Sequence, residues 1–152
     1  MVKLLMKNIL VTGGTGFVGL HTVRALLERG DRVAMLGRDF SRADALIAAG
    51  AEPIVADLRD RAAIAAACAG RDAVLHIGAL SAPWGRRADF HAINVDGTAN
   101  VIAGCRQHNV GRLVAVSSPS VLFNGRDQAL LTDASPYPAR FISVYSETKK
   151  LA

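Results

Sequence analysis

Aromatic residues are scarce, at 5% of the 152 positions. Alanine, valine, leucine and isoleucine must then fill most of any core, and with hydrophobic residues at 51% they can. This excludes a disordered chain. Cysteine is nearly missing. Cys68 and Cys105 lie in alanine-rich, helix-like stretches, a spacing that makes neither a metal site nor a disulfide framework. They read as two reduced thiols in or near a core, and no metal is expected. Long apolar runs are absent as well, since none approaches the ~18 residues of a membrane helix. The first candidate, Ile9-Leu10-Val11, is cut off by Thr12-Gly13-Gly14, and no small-residue cleavage site follows it. The expectation is a soluble, cytoplasmic protein with neither membrane span nor signal peptide. Met6 is as good a natural start as Met1, because the first strand begins just after it. Repeats and low-complexity linkers are lacking, so residues 1–152 read as one domain around one core.

A strong charge pattern is also missing. Eighteen Lys+Arg against 13 Asp+Glu leave a net charge of +5. The cations are scattered and no aromatic side chains interleave with them, so a nucleic-acid surface is not expected. A solvated surface with one or two phosphate contacts accounts for the excess.

What the sequence does have is alternation. Short apolar runs at Asn8–Thr12, Arg32–Leu36, Glu52–Ala56, Ala73–Ile77 and Arg112–Ser117 read as strands. Helical patterns fall between them at Phe17–Arg29, Ser41–Ala49, Arg61–Ala69 and Ala88–His108, the last interrupted or bent near Gly97. In the first helix Val18, Val23, Leu26 and Leu27 share a side. Another helix starts at Ser143. Gly50 and Gly70 close the second and third helices. Strand–helix alternation with short connections and right-handed crossovers gives an α/β fold with an open, doubly wound parallel sheet. The stretch from Pro119 to Ile142 is longer than a structural connection needs, and such loops are often functional.

Thr12-Gly13-Gly14-Thr15-Gly16-Phe17-Val18-Gly19 lies where the first strand hands over to the first helix. Gly13 can take the tight turn, Gly16 lets a diphosphate approach the backbone, and Gly19 allows close helix–sheet packing. The helix N-terminus offers free N–H groups and a positive dipole end to phosphates. In this strand–turn–helix setting the motif predicts a dinucleotide, with Thr15, Phe17 and Val18 beside it. The end of the second strand chooses between NAD and NADP. An acid there binds ribose hydroxyls, whereas arginine pairs with the 2′-phosphate. Gly37 leaves room where a carboxylate would sit and Arg38 follows at once, which favours NADP; Asp39 keeps NAD open as a ribose acid.

Together with Asp57, Asn94–Asn100, Ser117-Ser118 and Tyr145–Lys149, this motif resembles the extended short-chain dehydrogenases/reductases. Val116-Ser117-Ser118-Pro119-Ser120-Val121 is most similar to the 3β-hydroxysteroid dehydrogenase-like branch. The resemblance covers nearly the whole chain and implies a Rossmann-like domain. It implies that Asp57 bonds the adenine, with Leu58 beside it, and that Ile77, Gly78 and Ala79 line the cofactor. Asn94 would support the active site from the long helix. A loop acid or N-cap, a tight loop and a helix-start polar residue are the bland readings of Asp57, Gly78 and Asn94.

Tyr145 and Lys149 are four apart, which stacks them on one helix face. A nearby ammonium favours the phenolate. Such a tyrosine can give a proton to a carbonyl oxygen, or take one from an alcohol, while hydride moves at carbon. The resemblance adds a bond from Lys149 to the nicotinamide ribose. It also implies Ser118, counted back from Val121 and ending the fifth strand, as the donor to the substrate oxygen, rather than Ser117 or Ser120. His76 reads as a satisfied core histidine. Trp84 either shapes a substrate pocket or anchors its loop.

The expected activity is NAD(P)-dependent hydride transfer to or from a secondary alcohol or ketone, on a sterol-like or lipid-derived 3-oxo or 3-hydroxy small molecule. The alternatives are a nucleotide-sugar epimerase or dehydratase with bound NAD, and a non-catalytic NADP-sensing protein. Family members often pair through helices flanking the sheet, so a homodimer is an expectation of the resemblance alone. They also continue for a comparable length past the tyrosine–lysine helix. The last strands and the substrate region are therefore expected outside these 152 residues, without which the chain binds nucleotide and is not expected to turn over.

Overall fold

A computed structural model describes residues 7–152. Met6, the alternative start, lies outside the described residues. The elements are β1 (Asn8–Thr12), α1 (Phe17–Glu28), β2 (Arg32–Gly37), α2 (Asp44–Ala48), β3 (Glu52–Val55), α3 (Arg61–Cys68) and β4 (Ala73–His76). They continue with α4 (Arg87–Phe90), a π-helical segment (His91–Asp96), α5 (Gly97–Gln107), β5 (Arg112–Ala115), a 3₁₀ turn (Pro119–Leu122) and α6 (Val144–Leu151). All strand pairs are parallel and the sheet order is β3-β2-β1-β4-β5. The chain order reverses at β1, which lies between β2 and β4. A crevice opens at the carboxyl ends of the strands there.

Strand alternation splits the core into two layers. Leu10, Ala34, Leu36 and Val74 face Ile64, Cys68, Val101 and Cys105 of α3 and α5. Ile9, Val11, Val33 and Met35 face Val23, Leu26 and Leu46 of α1 and α2. Both cysteines are free and buried, and burial pushes the Cys68 thiol up to about 12. They are inert core thiols. Among the described residues, no helix is long and apolar enough to cross a membrane.

Several expected boundaries move. Helix α2 starts at Asp44 rather than Ser41, because the Asp39 carboxylate accepts the Ser41 N–H and holds a turn there. Helix α1 ends at Glu28, one residue early. Val18 does not join its buried side: that side is Gly19, Val23 and Leu26, while Val18 faces out and Leu27 is half-buried. The long helix is irregular near Gly97 as expected, though Gly97 itself has ordinary helical angles. Its irregularity is the π segment just before it. Gly97 has another reason, since a Cβ there would stand 2.9 Å from Leu58 Cβ. Strand β5 ends at Ala115, so Ser118 is not its last residue but the N-cap of the 3₁₀ turn. As an edge strand, β5 keeps Val114 exposed, and Val116 just after it is exposed too.

Candidate functional site

The crevice is built on backbone contact. Gly13 turns the chain at φ +66°, in the left-handed region that side chains disfavour. A Cβ on Gly13 would also stand 2.5 Å from Gly78 Cα. The glycine turn and the loop after β4 are thus pressed together. Thr12 ties them, its Oγ1 accepting the Gly78 N–H at 3.2 Å. Gly19 is equally constrained, but by the turn itself: a Cβ would meet the Gly13 carbonyl oxygen, so its closeness serves the turn rather than the sheet. No side chain caps α1 at Gly16, and the first turn of the helix presents its N–H groups to the crevice.

The resulting cleft holds about 430 Å³. Gly13, Thr15, Gly16, Phe17, Val18, Gly19, Arg38, Asp57, Leu58, Ile77, Gly78 and Ala79 all line it, so it gathers every expected nucleotide residue outside α6. Gly37 lines it too, as do Leu36, Ala56, Ser81 and Ile93, which sequence reasoning missed as lining. Gly37 does leave room, but the Thr15 side chain takes it: a Cβ at Gly37 would be 2.6 Å from Thr15 Oγ1.

The charged groups lie at the β2–β3 end. Arg59 forks onto Asp57, Nε donating to Oδ1 and Nη2 to Oδ2, both at 2.8 Å. This pairing holds the Asp57 carboxyl down at about 2. Arg59 was missed, although its place two residues after the acid is the spacing of such a turn. Asp57 is therefore no helix cap; Asp60 caps α3, accepting the Ala63 N–H. Arg38 approaches Asp57 only to 3.8 Å and stays 68% exposed. Asp39 is occupied by Ser41, whose hydrogen bonds lower its carboxyl pKa.

At the other end Asn94 is buried in the π segment. Its Oδ1 accepts the Leu80 N–H at 2.7 Å, and its Nδ2 donates to the Leu80 carbonyl at 3.2 Å and to Thr148 Oγ1 at 3.0 Å. Asn94 thus joins the loop after β4 to α6. Ser143 caps α6, accepting the Ser146 N–H, and Glu147 pairs with Arg87 of α4. Tyr145 is half-buried on this helix. Lys149 Nζ donates to the Val116 carbonyl at 2.8 Å, and partial burial lowers its pKa. That bond pins α6 to the end of β5. Ser118 Oγ lies 2.8 Å from Ser120 Oγ, so the two serines form a pair. Trp84 is 84% exposed and is not among the residues lining the cleft. Thr148, the link from Asn94 to α6, was also missed; it sits between Tyr145 and Lys149, hidden by the attention those two draw.

The sequence pattern of the 3-beta hydroxysteroid dehydrogenase/isomerase family matches residues 10–152. The chain belongs to that family. It is similar to a 2-alkyl-3-oxoalkanoate reductase from Stenotrophomonas maltophilia, with 44% identity across 95% of this chain and 44% of the relative. Among solved structures it resembles a short-chain dehydrogenase/reductase superfamily protein from Agrobacterium tumefaciens with bound NAD. That match has TM-score 0.79 and 34% identity over 94% of this chain and 42% of that one. It also resembles a UDP-glucose-4-epimerase from Stenotrophomonas maltophilia with bound NAD. There the TM-score is 0.83 and the identity 25%, over 95% of this chain and 46% of that one. The chain spans less than half the length of each of these similar proteins.

The site fits a dinucleotide on its own geometry. The glycine turn is a cradle that Cβ atoms would fill, the α1 N-terminus is uncapped, and a cation stands at the rim.

Proposed function

We propose that the cleft binds NAD(P) and that the protein moves hydride between the nicotinamide and a secondary alcohol or ketone. The observation that supports this most is the convergence of the expected nucleotide residues on one crevice, joined through Asn94 to the helix of Tyr145 and Lys149. Gly13, Gly16 and the α1 N–H groups would hold the diphosphate, Asp57 the adenine, and Lys149 the nicotinamide ribose. Bound nicotinamide supplies or accepts the hydride. Tyr145 would pass the proton between its phenol and the substrate oxygen. Ser118 would hold the substrate oxygen by a hydrogen bond. Asn94 is a positioning residue, since all three of its bonds go to protein groups.

NADP is the favoured cofactor. Arg38 is exposed and only loosely paired, while Asp39, the candidate ribose acid, is turned to Ser41. The substrate class is a lipid-derived 3-oxo or 3-hydroxy compound, supported by the reductase relative acting on 2-alkyl-3-oxoalkanoates. A second reading, a nucleotide-sugar epimerase with retained NAD, is favoured by the epimerase structure's TM-score of 0.83. A soluble cytoplasmic enzyme acting as a homodimer completes the proposal.

Titration calorimetry of this chain with NADPH and then NADH tests the binding. Saturable, NADPH-preferring heat is expected; a folded chain that binds neither overturns the reading. With the full-length protein, oxidation of NADPH by a 2-alkyl-3-oxo acid separates the two activities. Conversion of a UDP-sugar without net cofactor turnover would establish the epimerase instead.

A further inference from the structure

His76 is buried at the carboxyl end of β4, between the two halves of the site, and has no role in the chemistry above. Its Nδ1 lies 2.6 Å from Thr12 Oγ1 and its Nε2 lies 2.9 Å from Thr98 Oγ1. The proton positions follow from counting. The Thr98 hydroxyl donates its one proton to the Asn94 carbonyl at 2.6 Å. Thr98 must therefore accept from His76, which puts the ring proton on Nε2. A neutral ring then leaves Nδ1 bare, and it accepts the Thr12 hydroxyl. Thr12 in turn accepts the Gly78 N–H. Every donor in this chain meets one acceptor and none is left over. Burial, with the positive charge of Lys149 adding to it, holds His76 down to about 4 and so keeps it neutral.

The chain of bonds runs from the glycine turn to the π segment. Thr12 immediately precedes Gly13. Thr98 bonds the carbonyl of Asn94, the residue whose amide holds Leu80 and Thr148. We propose that His76, as its Nε2–H tautomer, is a positioning residue that locks the π segment to the glycine turn and so aims Asn94. Only its consequence for catalysis rests on the nucleotide reading.

Nuclear magnetic resonance of this chain tests the lock. The ¹⁵N pattern of the His76 imidazole should show one proton, on Nε2, at pH 6 to 8. A proton on Nδ1, or a charged ring at pH 6, overturns the assignment. In His76→Leu the Asn94 side-chain amide should exchange at least tenfold faster, while amides of the β2–β3 pair keep their protection. Unchanged Asn94 exchange refutes the coupling. If His76→Leu loosens the whole fold, His76→Gln decides, because its amide retains the donor to Thr98. Asn94 exchange within about threefold of the parent is then expected, and failure to recover it refutes the lock. NADPH titration of the same parent sample reports on the nucleotide reading separately. Absent binding with the Nε2–H pattern intact would remove that reading and leave the lock.

Discussion

At the glycine turn backbone meets backbone, with Gly13 against Gly78 and Gly19 against the Gly13 carbonyl. At the tyrosine–lysine helix, side chains span the gaps instead: Asn94 to Leu80 and Thr148, Glu147 to Arg87, Lys149 to Val116. The first region lies at the middle strands of the sheet and fails when an atom is added. The second lies beside the outermost strand and fails when a polar atom is removed. The proposed nucleotide binding and the proposed chemistry would therefore rest on different kinds of contact, and substitutions should separate them.

Adding a methyl at Gly13 is the harshest test of the first region. Gly13→Ala forces a side chain into positive φ and places its Cβ 2.5 Å from Gly78 Cα. A loss of about 3–5 kcal/mol is expected, since strain and overpacking act together. Urea unfolding measures it, and calorimetry should find no NADPH binding. A midpoint matching the parent's would show that this contact gives way easily.

Removing the Asn94 amide is the corresponding test of the second region. Asn94→Leu keeps the volume but leaves the Leu80 N–H and carbonyl without their side-chain partner and removes the bond that Thr148 Oγ1 accepts. The cost should be about 3 kcal/mol. NADPH affinity should fall by less than about tenfold, because the glycine turn is untouched. Loss of binding with unchanged stability would reverse the comparison.

The bond chain through His76 crosses between the regions, and acid should open it. The folded pKa is about 4 against an ordinary 6.5. Between those values the unfolded chain binds the extra proton. The stabilisation is full above pH 6.5 and is lost as pH falls towards 4, by up to about 3 kcal/mol. Asp57, held at about 2, loses its own contribution only below about pH 4. Thermal melts from pH 7 to 4 should therefore fall steeply in the parent and more gently in His76→Gln. Parallel slopes would mean that another group titrates in this window.

The first region was far more legible in the sequence than the second. Thr12–Gly19 announces a strand, a turn and a helix because each glycine answers a local backbone demand. Strand–helix alternation likewise gave every strand within two residues at its end. The second region depends on pairings between distant residues, and local pattern carries no trace of these. Asn94–Thr148 is separated by 54 positions and His76–Thr98 by 22. Ser118 is expected at the end of the fifth strand, read as Arg112–Ser117. Pairing stops at Ala115, and Pro119 then begins a tight turn. The irregularity expected near Gly97 is the π segment that ends at Asp96, and Gly97 itself makes room for Leu58.

The smallest effect is expected at the rim, where the distinguishing 2′-phosphate of the proposed cofactor would meet the first region. Arg38 is 68% exposed and stands 3.8 Å from Asp57, whose carboxylate is already forked by Arg59. Losing Arg38 should cost the fold little, since exposed pairs of this kind contribute little. A guanidinium on a phosphate is different, because charge-assisted bonds are roughly twice as strong as neutral ones. Arg38→Ala should weaken NADPH about tenfold, or about 1.4 kcal/mol, and NADH less than about twofold. Calorimetry with both nucleotides at one ionic strength reads the ratio. Equal losses would mean that Arg38 does not read the 2′-phosphate.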